Sequence, residues 1–370
     1  MATLYFHIGT PKTGTTHIQN FMWNNGEALK KQGYVYPHFA QFPGIGKARN
    51  GYFLKTNFEG YQKNFGKIGK LASQYENIIL SDEGMWNMNK SYMERFYENT
   101  KEYGLDVKII VYLRRQDLYL QSNWAQKVKE DSQDTFQEYI EKGVYKAVRF
   151  DYFDRLNEIA QIVGKENIIV RVYEKSQFKN HNLTDDFLET VGLELTPDFI
   201  MPERVFNMSL GGPYLEVKRY LNSNKEFAAL DNYAYPLIKK VMEQNHAKAD
   251  FSSSRYLSAD EQREFMVQYQ DTNEKVAREY LGRENGKLFY EEEVQDGEEP
   301  VAFSTQELID ICGQMLQIQH TNYTEQIKQC KETIKEQEAV IKKQQSTIDW
   351  VTTSFPKKVV RKLKRMAGIK

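Results

Sequence analysis

Residues 4–16, Leu-Tyr-Phe-His-Ile-Gly-Thr-Pro-Lys-Thr-Gly-Thr-Thr, join an apolar strand pattern to a glycine-containing loop. A helical pattern follows, with Ile18, Phe21 and Met22 on one side. A strand, a loop and a helix in this order direct backbone N–H groups and a helix N-terminus at one point, which is a common way of holding phosphate. The sequence therefore predicts a phosphate-binding loop directly after the first strand.

The polar residues of this loop suit an anion. Gly9 and Gly14 allow a tight turn and a close approach of the backbone. Lys12 adds a mobile full charge, and Thr15 and Thr16 offer hydroxyl and amide donors. The loop is not a Walker A loop, because that motif places lysine directly after the second glycine, where this chain has Thr15. We therefore expect the usual nucleoside triphosphate clamp to be missing.

The composition excludes several classes of protein. The chain has 370 residues, of which 40% are hydrophobic and 13% aromatic, enough for a large core. Its net charge of −1 lacks the basic excess of a nucleic-acid-binding protein, so we expect no nucleic-acid partner. The two cysteines, Cys312 and Cys330, suggest no disulfide framework, and no His/Cys cluster has metal-ligand spacing. We expect no metal.

Short apolar runs alternate with helical patterns along the first two hundred residues. Beyond residues 4–8, strands are predicted at residues 77–80, 107–113 and 167–173, with a short extended piece at 34–37. Helices are predicted at residues 17–32, 90–103, 117–129, 136–142, 150–163 and 183–191, and further along the chain at 236–244 and 258–281. Residues 38–66 lack clear periodicity, so we expect a loop-rich insertion with one short helix. The alternation predicts an α/β fold, a P-loop-type parallel sheet with helices on both faces.

Polar residues follow each predicted strand. The first loop, Glu83, Arg114 and Tyr173 all stand just after an apolar run. Parallel α/β sheets bind ligands outside the carboxyl ends of their strands. We therefore expect these side chains to line one site.

The loop also resembles that of a known family. Its order Pro-Lys-Thr-Gly-Thr-Thr is similar to the 5′-phosphosulfate loop of the PAPS-dependent sulfotransferases, typically Pro-Lys-Ser/Thr-Gly-Thr-Thr. The resemblance covers about residues 3–290, and residues 204–212 and 271–289 resemble segments of bacterial sulfotransferase-like proteins encoded with surface-glycan genes. It implies PAPS as co-substrate, PAP as product, and a binding loop made of Pro11, Lys12, Thr13, Gly14, Thr15 and Thr16.

The same resemblance implies contacts to the rest of the nucleotide. In sulfotransferases an Arg after a strand and a Ser eight residues later bind the 3′-phosphate, which corresponds to Arg114 and Ser122. Arg115 is an alternative to Arg114, and Gln116 stands where the family often has Pro. A strand that ends in Tyr-Glu places its tyrosine near the adenine, which implies this role for Tyr173.

Sulfuryl transfer is an in-line displacement at sulfur, and two residues are the predicted catalytic pair. Lys12 would neutralise the charge that develops on the bridging oxygen. The base should lie across the sulfur on another strand end, and some carbohydrate sulfotransferases use a Glu there, which corresponds to Glu83. Asp82 and His17 are the alternatives. Arg283 and Lys287 are further candidates for the 3′-phosphate, by similarity to a late basic loop of cytosolic sulfotransferases.

The C-terminal part has a seven-residue repeat of isoleucine, at Ile327, Ile334, Ile341 and Ile348. This spacing is typical of the a positions of a coiled coil. The d positions are poor, being Cys330, Gln337, Gln344 and Val351. The sequence predicts a homo-oligomer through residues 327–348; the alternative is a single solvated helix docked on the domain.

A basic tail follows. No acidic residue occurs after Asp349, and the basic residues are Lys357, Lys358, Arg361, Lys362, Lys364, Arg365 and Lys370. Val359, Val360, Leu363 and Met366 are interleaved with them. The pattern predicts an amphipathic helix for an anionic membrane surface; the alternative is a disordered soluble tail.

Together these features predict a catalytic domain at 1–320, a coiled-coil helix at 321–351 and a basic amphipathic tail at 352–370. The expected activity is transfer of a sulfuryl group from PAPS to a carbohydrate hydroxyl, on a surface polysaccharide or a lipid-linked glycan. The alternatives are a kinase-like P-loop phosphotransferase and a non-catalytic membrane-associated scaffold. With no signal peptide and no apolar run of ~18 residues, we expect a cytoplasmic protein, peripheral on the inner face of the membrane.

Overall fold

A computed structural model describes residues 1–39, 46–55, 58–201, 210–245, 256–290 and 302–368. Most of the segment 204–212 and the last residue of the basic tail lie outside the described residues. The strands are β1 (Thr3–His7), β2 (Tyr34–Val35), β3 (Asn77–Ser81), β4 (Asp106–Leu113) and β5 (Ile168–Val172). The helices are α1 (Thr15–Asn24), α2 (Gly26–Lys31), α3 (Phe58–Ala72), α4 (Lys90–Glu102), α5 (Gln116–Glu130), α6 (Phe136–Glu141), α7 (Tyr152–Val163), α8 (Leu183–Val191), α9 (Gly212–Asn222), α10 (Lys225–Ala228), α11 (Asp231–Asn245), α12 (Ala259–Val267), α13 (Gln270–Leu281), α14 (Thr305–Asp349) and α15 (Phe355–Met366).

The five strands form one sheet in the order β2-β3-β1-β4-β5, and every pair is parallel. Phe6 in the central strand lies in register with Leu80 of β3 and Ile109 of β4. The chain leaves β3 on one side of β1 and returns as β4 on the other side. In open parallel sheets this change of side opens a crevice at the carboxyl ends of the strands, where ligands bind.

Helices cover both faces of the sheet, which confirms the predicted α/β class. On one face, Leu4, Phe6 and other strand residues pack in a single core with side chains of α3, α4, α7 and α13. On the opposite face, Ile79, Ile110 and Tyr112 pack with side chains of α1, α2 and α8. Successive strand residues point to opposite faces, so strands buried on both sides are apolar throughout. This is why their runs were recognisable in the sequence.

The insertion at residues 38–66 differs from the prediction. Helix α3 is 15 residues long and continues beyond the segment expected to be mostly loop. Glycines interrupt its helical pattern, and glycine disfavours helix. One of them, Gly69, makes room for Tyr103, since a Cβ at this glycine would lie 2.2 Å from the tyrosine ring. The buried side chains of Tyr61, Phe65 and Ile68 favour the helix by tertiary packing, which the local pattern does not show.

Two predicted helices are each divided in two. Residues 17–32 form α1 and α2, separated at Asn25, whose side chain donates to the carbonyl oxygens of Phe21 (2.9 Å) and Ile200 (3.0 Å). Residues 258–281 form α12 and α13. At the first break the Asn25 side chain supplies tertiary hydrogen bonds in place of helical ones, which a window of local sequence does not reveal.

The chain divides into two compact units, residues 1–228 with 250–302, and residues 229–249 with 303–370. The first contains the sheet. In the second, α11 lies along α14, and Asn245 donates to Gln314 at 2.8 Å. Helix α14 begins at Thr305, ahead of the expected boundary at residue 320. Along it the four heptad isoleucines are 53 to 62% exposed. None of the helices in the described ranges is long and apolar enough to cross a membrane.

Candidate active site

The loop between β1 and α1 is fixed by its neighbour β4. The amide of Tyr112 donates to the Gly9 carbonyl at 2.7 Å, and the amide of Thr10 donates to the Tyr112 carbonyl at 2.9 Å. These bonds extend the β1–β4 ladder beyond the end of the strand. The Thr13 hydroxyl closes the loop on itself by donating to the Thr10 carbonyl at 2.6 Å. These hydrogen bonds hold the loop in one conformation. They do not use the backbone N–H groups of residues 12–16.

Successive amides of this loop are available to a ligand. Over the part of the chain that the structure describes, the backbone N–H groups of Lys12, Thr13, Gly14, Thr15 and Thr16 donate no hydrogen bond to protein. Gly14 is the N-cap of α1 with φ +70, and no side chain caps this helix. Lys12 also has a positive φ, +68. Consecutive amides with such dihedrals at a helix N-terminus form a concave anion site.

Tyr173 lies directly against the loop. A Cβ at Gly14 would be 2.4 Å from Leu183 Cδ2 and 3.4 Å from the Tyr173 hydroxyl. A side chain at this position would therefore clash, in addition to the cost of its positive φ. The amide of Tyr173 donates to the Leu113 carbonyl at 2.7 Å, which fixes the tyrosine at the end of β5.

Arg114, the residue that follows β4, completes this group. Its guanidinium donates to the Lys12 carbonyl at 2.9 Å and lies 5.8 Å from the centre of the Tyr173 ring. The structure thus brings together the loop, Arg114 and Tyr173, which were predicted from separate parts of the sequence. Their roles toward a nucleotide stay a prediction.

Arg115 points elsewhere. Its guanidinium makes two bonds to the carboxylate of Asp117, at 2.8 and 2.7 Å, and reaches Gln262 at 3.4 Å. It lines a cavity of about 750 Å³, together with α12, α13 and residues 285–290. Of the two arginines, Arg114 is the one whose guanidinium donates to the loop, at the Lys12 carbonyl.

Arg283 and Lys287, the two candidates in the late basic loop, differ in their contacts. Arg283 donates to the side chain of Gln177 at 2.5 Å and to the carbonyl oxygens of Lys287 and Leu288 at 3.1 and 2.8 Å. Lys287 lines the same cavity as Arg115. Arg283 therefore joins this loop to the segment that follows β5.

Lys12 extends toward α5. Its ammonium donates to Gln126 Oε1 at 3.0 Å. Ser122 lies one turn earlier on the same helix face, and Lys129 lies about one turn later, because residues three and four apart are neighbours on a helix. Ser122 was predicted, whereas Gln126 and Lys129 were missed. Their spacing of four and seven residues from Ser122 is the signal that would have found them.

Cations are crowded in this region. Burial lowers the pKa of Lys12, the charge of Arg114 lowers it further, and Glu130 and Glu83 act in the opposite direction. Burial and the charge of Lys12 lower the pKa of Lys129 to about 8. Such mutual repulsion is relieved when an anion binds among the cations. In the described ranges, no group of three or more His, Cys, Asp or Glu side chains is placed to hold a metal ion.

Glu83 follows β3 and lies beside the loop. A Cβ at Gly9 would be 3.2 Å from the Glu83 Cα. The Glu83 carboxylate accepts a hydrogen bond from Gln19 Nε2 at 2.8 Å and pairs with the Arg49 guanidinium at 3.5 Å. Its side chain remains 21% exposed.

The two alternatives to Glu83 have other partners. Asp82 is fully buried, and its Oδ1 accepts from the Gly84 amide at 2.8 Å and from Arg49 Nε at 3.0 Å. This places Asp82 in a structural role, as the anchor of the segment that contains Arg49. The His17 ring is 2.8 Å from the Thr184 hydroxyl on α8, and burial lowers its pKa.

A chain of hydrogen bonds connects Glu83 to the core. Gln19 Nε2 also donates to the Ser81 hydroxyl at 3.2 Å, and that hydroxyl is 3.0 Å from His7 Nδ1. His7 is fully buried, and burial lowers its pKa to about 3, so the ring is neutral at physiological pH. Gln19 thereby orients the Glu83 carboxylate. Nothing local marks Gln19, because glutamine on a helix is ordinarily solvated.

Comparisons with known proteins give a limited result. No family model matches the chain. An uncharacterised protein of Archaeoglobus fulgidus is 30% identical over 219 residues, which is 59% of this chain; the chain spans 57% of that relative's length. Two solved structures are similar in part. A sulfotransferase from Alicyclobacillus acidocaldarius has 16% identity and a TM-score of 0.36, covering 65% of this chain and 96% of that one. The tunicamycin resistance protein of Deinococcus radiodurans has 15% identity and a TM-score of 0.29, covering 53% and 99%. These scores are low, so the case for a function rests on this chain's own residues.

Proposed function

We propose that this protein transfers a sulfuryl group from PAPS to a hydroxyl of a carbohydrate. The observation that carries the proposal is the set of unused loop amides from Lys12 to Thr16 with the side chains of Lys12, Arg114 and Tyr173 around it. Amides and an ammonium suit the 5′-phosphosulfate, and a guanidinium beside a tyrosine ring suits a phosphate near a base. The lysine inside the loop, rather than after Gly14, favours this nucleotide over a nucleoside triphosphate.

The chemistry requires two groups, and both are beside the loop. Glu83 accepts the proton of the acceptor hydroxyl, whose oxygen bonds to sulfur as the bond from sulfur to the 5′-phosphate oxygen breaks and PAP leaves. Lys12 neutralises the negative charge that develops on that oxygen. The Gln19 hydrogen bond and the Arg49 ion pair hold the Glu83 carboxylate in place, which reduces the reorganisation needed for proton transfer.

The 3′-phosphate is assigned to the face of α5 next to Arg114. Ser122 supplies a hydroxyl there, while Lys129, whose pKa the charge of Lys12 lowers, adds positive charge near the 5′-phosphosulfate. Arg114 and Ser122 then discriminate this doubly phosphorylated adenosine from an adenosine that lacks the 3′-phosphate.

Calorimetry with PAP and with ATP–Mg tests the binding step. We expect PAP to bind, and Lys12→Ala and Arg114→Ala each to weaken it roughly tenfold to a hundredfold, since a hydrogen bond to a charged group is worth about 1.5–3 kcal/mol. Lys70→Ala, an exposed lysine of α3, is the matched control and should leave PAP affinity unchanged. Tight ATP–Mg binding without PAP binding would instead identify a phosphotransferase.

Transfer of radiolabelled sulfate from PAPS to a panel of glycans tests the chemical step. Glu83→Gln should abolish transfer and retain PAP binding, because the amide keeps the shape of the side chain but cannot take a proton. Full activity in Glu83→Gln would contradict the assignment of the base. Intact PAP binding without transfer to any glycan would favour the scaffold.

A further inference from the structure

We infer that α15 binds the surface of an anionic lipid bilayer. This inference is independent of the proposed function, because it concerns a helix that contains none of the residues of the candidate active site. Helix α15 covers Phe355–Met366 and is followed by Gly368 with φ +65, which ends the helix. Its described side chains are all exposed.

The residues of α15 are divided by charge around the helix. Its exposed apolar side chains are Val359 (37%), Val360 (50%), Leu363 (58%) and Met366 (77%). At 3.6 residues per turn these positions share one side of the helix. The basic residues occupy the remaining arc, and they are Lys357, Lys358, Arg361, Lys362, Lys364 and Arg365. No acidic residue interrupts that arc. An exposed helix with one apolar and one wholly cationic side matches the two layers of a membrane interface, acyl chains below and anionic headgroups at the level of the charges.

A tryptophan at the beginning of this segment fits the same surface. Trp350 is 47% exposed, and the neighbouring Val351 is 44% exposed. The ammonium of Lys358 lies 5.2 Å from the centre of the Trp350 ring. Tryptophan has an apolar ring and one N–H group, which suits the headgroup region of a bilayer. Trp350 thus adds an exposed aromatic ring beside Lys358, on the basic side of α15.

A bilayer explains both sides of the helix, whereas a polyanion explains only one. A nucleic acid would contact the basic arc and leave the four apolar side chains in water. Basic residues near an anionic surface each add to the attraction, and burial of the apolar residues adds to it independently of salt. We therefore expect binding to anionic vesicles that weakens, but does not disappear, at high ionic strength.

Co-sedimentation of the full chain with vesicles tests the inference. The probes are vesicles of equal parts phosphatidylglycerol and phosphatidylcholine, and vesicles of phosphatidylcholine alone. We expect strong binding to the first and much weaker binding to the second. The combined change Arg361→Gln, Lys362→Gln and Arg365→Gln should weaken partitioning on the order of a hundredfold. Leu363→Asp should also weaken it, because it places a charge on the apolar side.

A matched control distinguishes this surface from total charge. The combined change Lys331→Gln, Lys335→Gln and Lys342→Gln removes the same number of charges from α14, where these lysines are exposed. It should leave vesicle binding unchanged. Equal binding to both vesicle types, or loss of binding equal to that of the α15 variant, would overturn the inference, as would binding of single-stranded DNA with no binding to vesicles.

PAP calorimetry on the same variants separates the two proposals. The α15 variants should bind PAP as the unchanged chain does, since the nucleotide site lies in the unit of residues 1–228 and 250–302. Loss of vesicle binding with normal PAP binding is therefore a result about α15 alone. A chain that binds vesicles but not PAP would contradict the proposed function only.

Discussion

At the scale of single residues, the candidate site is a cluster of positively charged side chains. Lys12, Arg114 and Lys129 are close enough for the first two cations to repel, and for Lys12 to lower the pKa of Lys129. Separately, none of these residues is unusual. Their proximity, which Glu130 and Glu83 offset in part, makes the region suited to a ligand with several negative charges.

The lowered pKa of Lys129 predicts that PAP affinity depends on pH. Its pKa is lowered to about 8, so the amine is mostly protonated at pH 7 and loses its charge as the pH rises above 8. An anion binds the protonated form better, so PAP affinity should fall as the pH rises through 8. Calorimetry between pH 7 and 9 measures this.

Lys129→Gln is the variant that isolates the effect. It should weaken PAP binding roughly tenfold at pH 7 and flatten the decline above pH 8. Lys127→Gln, an exposed lysine on the same helix, should keep the decline. If the PAP affinity of the unchanged chain did not vary between pH 7 and 9, the charge of Lys129 would have no effect on PAP binding.

We expect a substitution of Gln19 to lower the transfer rate without changing PAP affinity. Its side chain bonds both Glu83 and Ser81, so Gln19→Leu should leave the carboxylate without its positioning donor. We expect the transfer rate at saturation to fall roughly tenfold with unchanged PAP affinity. The exposed neighbour Asn20, changed to Ala, is the control. An equal loss in PAP affinity would indicate a structural role instead.

Helix α7 positions two of the strand-end loops. The Tyr152 hydroxyl donates to the Arg114 carbonyl at 2.5 Å. The buried Arg155 guanidinium donates to the carbonyl oxygens of Met85 and Met88 at 3.2 and 3.1 Å, in and after the turn that begins at Glu83. Helix α7 therefore holds the backbone that follows β4 and the backbone that follows β3, the two neighbours of β1. It thereby fixes the positions of Arg114 and Glu83 relative to each other.

Tyr152→Phe tests this function of α7. The substitution removes the buried hydrogen bond from Tyr152 to the Arg114 carbonyl, so the free energy of unfolding should fall by about 1–3 kcal/mol, and PAP affinity should fall with it. Chemical denaturation and calorimetry measure the two quantities. Tyr280→Phe, which removes a half-buried bond to Asn157, should change both much less. Unchanged PAP affinity in Tyr152→Phe would show that Arg114 is positioned by other contacts.

The second compact unit contains the helix for which the sequence predicts a coiled coil, α14. Helix α14 carries exposed apolar residues in one heptad frame. Ile309, Leu316 and Tyr323 occupy the d positions that precede the isoleucines predicted at the a positions. The apolar heptad pattern is therefore longer than the isoleucine repeat, and we propose a second copy of α14 as its partner.

Sedimentation of variants tests the predicted coiled coil. Ile334→Asn with Ile341→Asn should shift the chain toward monomer, because both residues are in the apolar heptad pattern. Val340→Asn removes an equally exposed apolar residue outside the a and d positions and should leave association unchanged. A chain that is monomeric at every concentration would contradict the homo-oligomer.

Much of the sheet and part of the candidate site follow from local sequence. Buried parallel strands are continuous apolar runs, and the residues after them must meet at one sheet edge, so Lys12, Glu83, Arg114 and Tyr173 were predictable together. Helix α3 was not, because packing of Phe65 and its neighbours outweighs the glycines in its pattern.

The other features of the candidate site depend on tertiary structure. The choice of Arg114 over Arg115 depends on which guanidinium reaches the Lys12 carbonyl, and Asp82 differs from Glu83 by its burial. Gln19 and Lys129 join the site through contacts between residues far apart in the chain. Periodicity and motif spacing are local properties, so they determined the strands, the loop and the amphipathic tail; burial and charge proximity depend on the folded chain, so only the fold could decide which side chains act together.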